Sequence, residues 1–292
     1  MDKGQVALLN AEYRWRLTPT TLISFGQLFP TTGRQFQTIS KNFQLIDRSD
    51  VSRFFFTGWD LGISFKQSLE VRNQLALKVA ASATHGEGKN KATAPGGWAY
   101  AGRLEILPLG FFNANGDYSE SDLYREPLPK LSLGAALYFN QDAYTKYGDS
   151  RWDGLEDNIS EFYADIVFKW NGFSFLGEYI HRSVENERIV LPDNTLLYSK
   201  EVSGEGLYIQ GGKLISEYLE PVFRVSFLSL NHSNQYFKSD FSEQIKYTAG
   251  LNYFLIGHNM KLQSQVGYIK REFINQSVTS SLEVAVQFAI SF

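Results

Sequence analysis

The sequence predicts an all-β, transmembrane antiparallel up-and-down barrel, on three observations. Segments of about ten residues alternate apolar and polar side chains with period two. Tight turns and long polar loops take turns along the chain. Aromatic residues make up 15% of the 292 positions, the side chains that such barrels place in interfacial girdles.

Thirteen strands follow in order, at 5–17, 21–29, 58–69, 74–85, 97–107, 130–140, 160–170, 173–184, 205–217, 221–231, 243–256, 260–273 and 281–292. The last is the plainest. In SLEVAVQFAISF, Leu282, Val284, Val286, Phe288, Ile290 and Phe292 share one face, and Ser281, Glu283 and Gln287 lie on the other. Likewise Tyr13, Trp15 and Leu17 oppose Glu12, Arg14 and Arg16, while Trp59, Leu61, Ile63 and Phe65 oppose Asp60, Ser64 and Lys66. In the seventh, Phe162, Ile166, Phe168 and Trp170 oppose Glu161, Asp165 and Lys169. Unpaired charges buried in a globule would cost several kcal/mol each, whereas a wet lumen accepts them, so the pattern favours apolar out and polar in. A soluble antiparallel sheet with a solvated outer face is the alternative.

Turns such as Thr18-Pro19-Thr20, Asn171-Gly172 and Gly257-His258-Asn259 fall at one end and the long loops at the other. One connection departs: Pro108 to Pro129 is long where a short turn is due. With the carboxyl terminus on the short-turn side, an even-stranded barrel needs an odd number of strands before residue 1. The expectation is one domain over 1–292, incomplete at its amino terminus.

No apolar run is long enough for a helical span, and mean hydropathy is −0.25. The 28 basic against 31 acidic residues give no general affinity for nucleic acid, and zero cysteines exclude disulfide scaffolds and thiol chemistry. His85, His181, His232 and His258 are scattered without a recognisable triad, so the chain is expected not to be an enzyme. Asp149, Asp153, Glu156 and Asp157 read as a solvated acidic loop, and Gly86-Glu87-Gly88-Lys89 as a flexible loop. No cofactor or metal is expected.

The stretches GQLFPTTGR (26–34), FQLIDRSDVS (43–52) and GWDLGISF (58–65), with GRLEILPLG (102–110) and the terminal phenylalanine, resemble the phosphate-selective porins of the porin O and P family. This chain has Pro30-Thr31-Thr32-Gly33 where that family commonly has Phe-Gly after the proline. The resemblance implies a sixteen-stranded, usually trimeric channel of the bacterial outer membrane, hence about three strands outside this chain, with lipid and lipopolysaccharide around it and small anions such as phosphate within.

From the residues, the phases put eleven basic groups inward, Arg14, Arg16, Lys66, Lys78, Arg103, Lys169, Arg182, Arg224, Lys246, Lys261 and Arg271. Against them stand seven acidic ones, Glu12, Asp60, Glu105, Glu161, Asp165, Glu178 and Glu283. At an effective dielectric of about 20, a charge roughly 6 Å from an anion is worth about 3 kcal/mol, so each acidic neighbour nearly cancels one basic group. A modest positive excess supports weak anion preference. Mutual pairing of the wall charges is the bland alternative. The ninth strand has no clean phase, and Lys213 stays unassigned. The loop 30–57, with Arg34, Arg48, Arg53 and Phe54-Phe55-Phe56, is the expected constriction, because an exposed phenylalanine triplet would be a liability. An extracellular lid or a trimer contact is its other reading. The expected function is passive diffusion of small solutes, with an occluded structural or ligand-binding barrel as the alternative.

Overall fold

The computed structural model describes residues 10–72, 74–90, 96–143, 145–146, 150–151, 157–185, 188–190, 196–198, 202–231, 241–273 and 277–291. Thirteen strands form one antiparallel sheet in which each strand pairs with its neighbours in sequence order. They are β1 (Ala11–Thr18), β2 (Thr21–Leu28), β3 (Asp60–Arg72), β4 (Leu75–Thr84), β5 (Ala99–Leu107), β6 (Lys130–Ala143) and β7 (Asp157–Trp170). After these come β8 (Phe173–Val184), β9 (Gly204–Lys213), β10 (Leu219–Leu230), β11 (Phe241–Ile256), β12 (Met260–Phe273) and β13 (Val278–Ile290). All thirteen coincide with the expected strands to within a few residues at the ends the structure describes; residues 5–9 of the first and Phe292 of the last lie outside the described residues. The ninth stops at Lys213 and not at Glu217, since Leu214 to Tyr218 is given over to the turn.

Local chemistry explains the short turns. Between β7 and β8, Asn171 and Gly172 both take positive φ (47° and 81°), the conformation of a two-residue hairpin whose twist matches its strands. Trp170 therefore pairs directly with Phe173.

Alternation sorts the faces as the phases require. On β7, Glu161, Asp165 and Lys169 are buried inside and Phe162 and Trp170 exposed outside. β9, ambiguous in sequence, turns Tyr208 and Gln210 inward and Leu207 and Ile209 outward. Its Lys213 sits at the rim, donating to the Asn171 carbonyl at 2.6 Å. The outer face carries a belt of leucines, among them Leu104, Leu137 (65% exposed) and Leu207. Exposed aromatics flank it, Trp98, Tyr100 and Phe139 toward the long loops and Trp170, Phe173, Tyr218 and Tyr253 toward the short turns. Such an exterior suits hydrocarbon between two interfaces.

The buried apolar cluster lies inside the curved sheet and joins it to its contents. Val51 and Phe55 of the loop after β2 pack with Tyr163, Ile180, Tyr208 and Leu228 of the wall. The sheet is not closed among the described residues, because β1 and β13 are its two edges. Both run in the same direction, so joining them directly would make a parallel pair in an otherwise antiparallel wall.

Candidate functional site

Two segments enter the interior from opposite ends. Residues 29–59 come from the long-loop end and traverse the lumen, so that Lys41 reaches Asn259 Oδ1 in the β11–β12 turn at 3.1 Å. Near the same mouth, Lys261 donates to the Phe43 carbonyl at 2.5 Å. The chain climbs back through a short helix, Asp50–Phe54, whose first turn is capped by Ser49 Oγ accepting from the Ser52 amide at 3.0 Å. Phe55 is fully buried beneath Arg182, and Phe56 packs among Phe29, Phe36 and Trp59. Wall glycines admit this loop. A Cβ on Gly206 would stand 2.6 Å from Val51 Cγ1, and one on Gly250 would stand 2.5 Å from Leu45 Cδ2.

Arg34 is the hub. Its guanidinium, 1% exposed, lies 2.5 Å from Asp165, 3.4 Å from Glu105 and 3.8 Å from Asp117. It also donates to Ser132 Oγ at 2.9 Å and to the Asp117 carbonyl at 3.1 Å, and it faces the Tyr118 ring. Burial alone would lower this group; Asp165 and Glu105 outweigh it and raise it above its ordinary value. Arg103 joins the same knot, 2.6 Å from Glu105 and 2.7 Å from Asp165, and Tyr118 donates to Glu105.

The second segment is the anomalous connection 108–129, which tucks in from the short-turn end. It meets the first: Glu120 accepts from Gln35 Nε2 and from the Gln44 amide, both at 2.8 Å, and its own amide donates to the Asn42 carbonyl at 3.0 Å. Asp117 binds Lys78 at 2.5 Å. The rest of the segment is tied to the mouth. Lys169 donates to the Ser121 carbonyl, Gly172 to Asp122, Arg125 to the Ser216 carbonyl, and Ser119 Oγ lies 2.8 Å from His258 Nε2.

The thirteen predicted groups thus divide. Arg34, Lys78, Arg103 and Arg182 are committed to carboxylates, the last to Glu161 at 2.5 Å. Lys169, Arg224 and Lys261 are buried and grip backbone carbonyls, Arg224 those of Asp47 and Arg48. Lys246 bridges Glu283 at 2.7 Å and Asp50 at 3.5 Å. Arg48 is half-buried between the Phe36 and Phe43 rings. Four reach solvent: Arg14, which pairs with Glu12, Arg16, Arg53, and Lys66, which donates to Gln37 Oε1 at 3.0 Å. Sequence reasoning missed Asp117, Tyr118 and Glu120, although the crowding of Asp117, Glu120, Asp122 and Glu126 into one proline-bounded connection is the signal that marks them. His181 points outward and is exposed. His232 and the side chains of the acidic loop 149–157 lie outside the described residues.

No family model matches the chain, and no curated protein matches it. The likeness to the phosphate-selective porins therefore stays a resemblance carried by residues 26–65. Among solved structures the chain is similar to a loop L8 deletion mutant of OmpT, an outer membrane protein of Vibrio cholerae. The TM-score is 0.48 at 10% identity, over 93% of this chain and 76% of that one. It is also similar to the outer membrane channel DcaP of Acinetobacter baumannii, at 0.47 and 12% over 91% of this chain and 70% of that one. OmpT expressed in the outer membrane gives 0.44 and 11% over 92% and 75%. DcaP is described as a channel and OmpT as an outer membrane protein. The sequence expectation that the chain is not an enzyme is withdrawn.

Proposed function

We propose that the chain forms the wall and constriction of a bacterial outer-membrane channel for small solutes, with weak preference for oxyanions of the phosphate type. The observation that carries this reading is the inverted distribution of side chains: leucines and aromatics outside, ionised groups inside. Within the lumen the two inserted segments occupy the side of β4 to β12, and the passage would run along the remaining arc, where Arg14, Arg16, Lys66 and Glu283 reach solvent beside the edge strands β1 and β13, which are unpaired on their outer sides among the described residues. Arg14, Arg16 and Lys66 line that arc against Glu12 and Glu283, and Arg53 stands exposed on the inserted helix. The arginine forks suit oxyanion geometry. The tied cations of the opposite side hold the constriction in place and are not counted among the solute contacts. Lipid and lipopolysaccharide would surround the barrel, and assembly as a homotrimer fits the resemblance.

A second reading, an occluded barrel that binds a ligand or serves a structural role, is favoured by the meeting of the two inserts at Glu120. Planar-bilayer recording separates the two. Ion conduction with an anion-directed reversal potential in a salt gradient supports the channel. A cation-directed reversal overturns the anion preference, and absence of conductance in full-length protein overturns the channel.

A further inference from the structure

Among the many contacts that tie the segment 108–129 into the short-turn mouth, one is titratable. His258, in the turn after β11, packs edge-on against Phe254 and meets Ser119 Oγ at 2.8 Å. The charges facing it come from three elements: Lys41 of the inserted loop, Lys169 of β7 and Lys261 of β12. Each lysine is engaged elsewhere, with Asn259, the Ser121 carbonyl and the Phe43 carbonyl. The carboxylates nearby, Asp117, Glu120, Asp122, Glu126 and Glu220, face Lys169 and Lys261. A proton on His258 would add a third buried cation beside Lys169 and Lys261. The Lys41 backbone alone favours the charged ring.

We propose that the Ser119–His258 contact is an acid-sensitive latch, one of the ties that hold residues 108–129 in the short-turn mouth, and that protonation of the imidazole shifts the segment toward release. Burial, reinforced by the three lysines, pushes the closed-state imidazole well below its ordinary value. In the released state the ring is solvated and titrates near 6.5. The sign is fixed by that order: the closed state binds the proton less readily, so its advantage is complete above about pH 6.5 and declines as pH falls. Between pH 7.5 and pH 5 the released population grows by up to about thirty-fold. The consequence for conduction rests on the channel reading; the latch itself does not.

The absence of cysteine from the chain makes the test clean. A single cysteine at buried Ser121 and, separately, one at exposed Leu128 are labelled with a maleimide at each pH, and the ratio of the two rates cancels the ionisation of the thiol. The ratio is expected to rise at least ten-fold from pH 7.5 to pH 5, to stay flat in His258→Gln, which keeps a neutral donor at the same reach, and to start higher in Ser119→Ala while still rising in acid. A flat ratio in the parent, or an equal rise in His258→Gln, overturns the latch. Bilayer conductance on the same proteins keeps the two claims apart. Conduction with a flat ratio sinks the latch alone, and an acid-dependent ratio without conduction sinks the channel and leaves the latch.

Discussion

Two arcs of the same wall, written in the same alternating code, end in opposite states. On β5, β7 and β8 the inward ions Arg103, Glu105, Glu161, Asp165, Glu178 and Arg182 are buried and bound to one another or to the insert. On β3 and on the open edges β1 and β13 the inward ions Arg14, Arg16, Lys66 and Glu283 face water, with the Arg14 side chain 62% exposed and that of Glu283 53%, while Asp60 at the start of β3 is buried. Alternation decides which face a charge lies on. What covers that face decides whether the charge is a fastening or a free electrostatic element, since an ion pair in a low-dielectric interior differs from the same pair in water by several-fold.

The contrast is broken most severely at Arg34. Arg34→Ala leaves Asp165, Glu105 and Asp117 buried without their shared partner and is expected to lower stability by about 3–5 kcal/mol in denaturant unfolding. Arg14→Ala, on the open arc, is expected to lower it by less than about 1 kcal/mol. Equal effects would erase the distinction. Next in size is the outside of the filled arc: Leu137→Arg is expected to cost about 2–4 kcal/mol in folding into bilayers, the value for a cation on a lipid-facing barrel position, and almost nothing if that face meets water.

A smaller effect sharpens the comparison from within. Gly206→Leu drives a side chain into Val51 of the inserted helix and is expected to cost about 1–3 kcal/mol while lowering conductance, because the helix is pushed off the wall toward the passage. Unchanged conductance would place the helix away from the passage. The smallest stability change belongs to the triple Arg14→Gln, Arg16→Gln and Lys66→Gln, expected to stay within about 1 kcal/mol of the parent. Its reversal potential should nevertheless move in the cation direction; no movement would remove these groups from the solute path.

The strands were legible because each carries its own period, and a lipid-facing exterior makes that period strict. Sequence also exposed the inserted loop, through Phe54-Phe55-Phe56, which had to find cover. Its partners were not legible. Arg34 and Asp165 are separated by 131 positions, and nothing local to either residue selects the other. The connection 108–129 stood out only as a length anomaly, and its inward tuck depends on Asp117 pairing with Lys78 and on Glu120 and Asp122 accepting from the Gln44 and Gly172 amides. The β9 phase was obscured by glycines at 204, 206, 211 and 212, which contribute no side chain to the count yet make room for the insert at Gly206 and Gly212.

The central claim, that hydrocarbon receives the apolar face of each strand, is tested most directly on β7. Single cysteines at 161 to 168, each carrying a small fluorophore, are placed one at a time in protein folded into vesicles containing brominated lipid. Quenching is predicted to alternate with period two, strong at Phe162, Ala164, Ile166 and Phe168 and weak at Glu161, Tyr163, Asp165 and Val167. Uniform quenching, or strong quenching at Glu161 and Asp165, would contradict it.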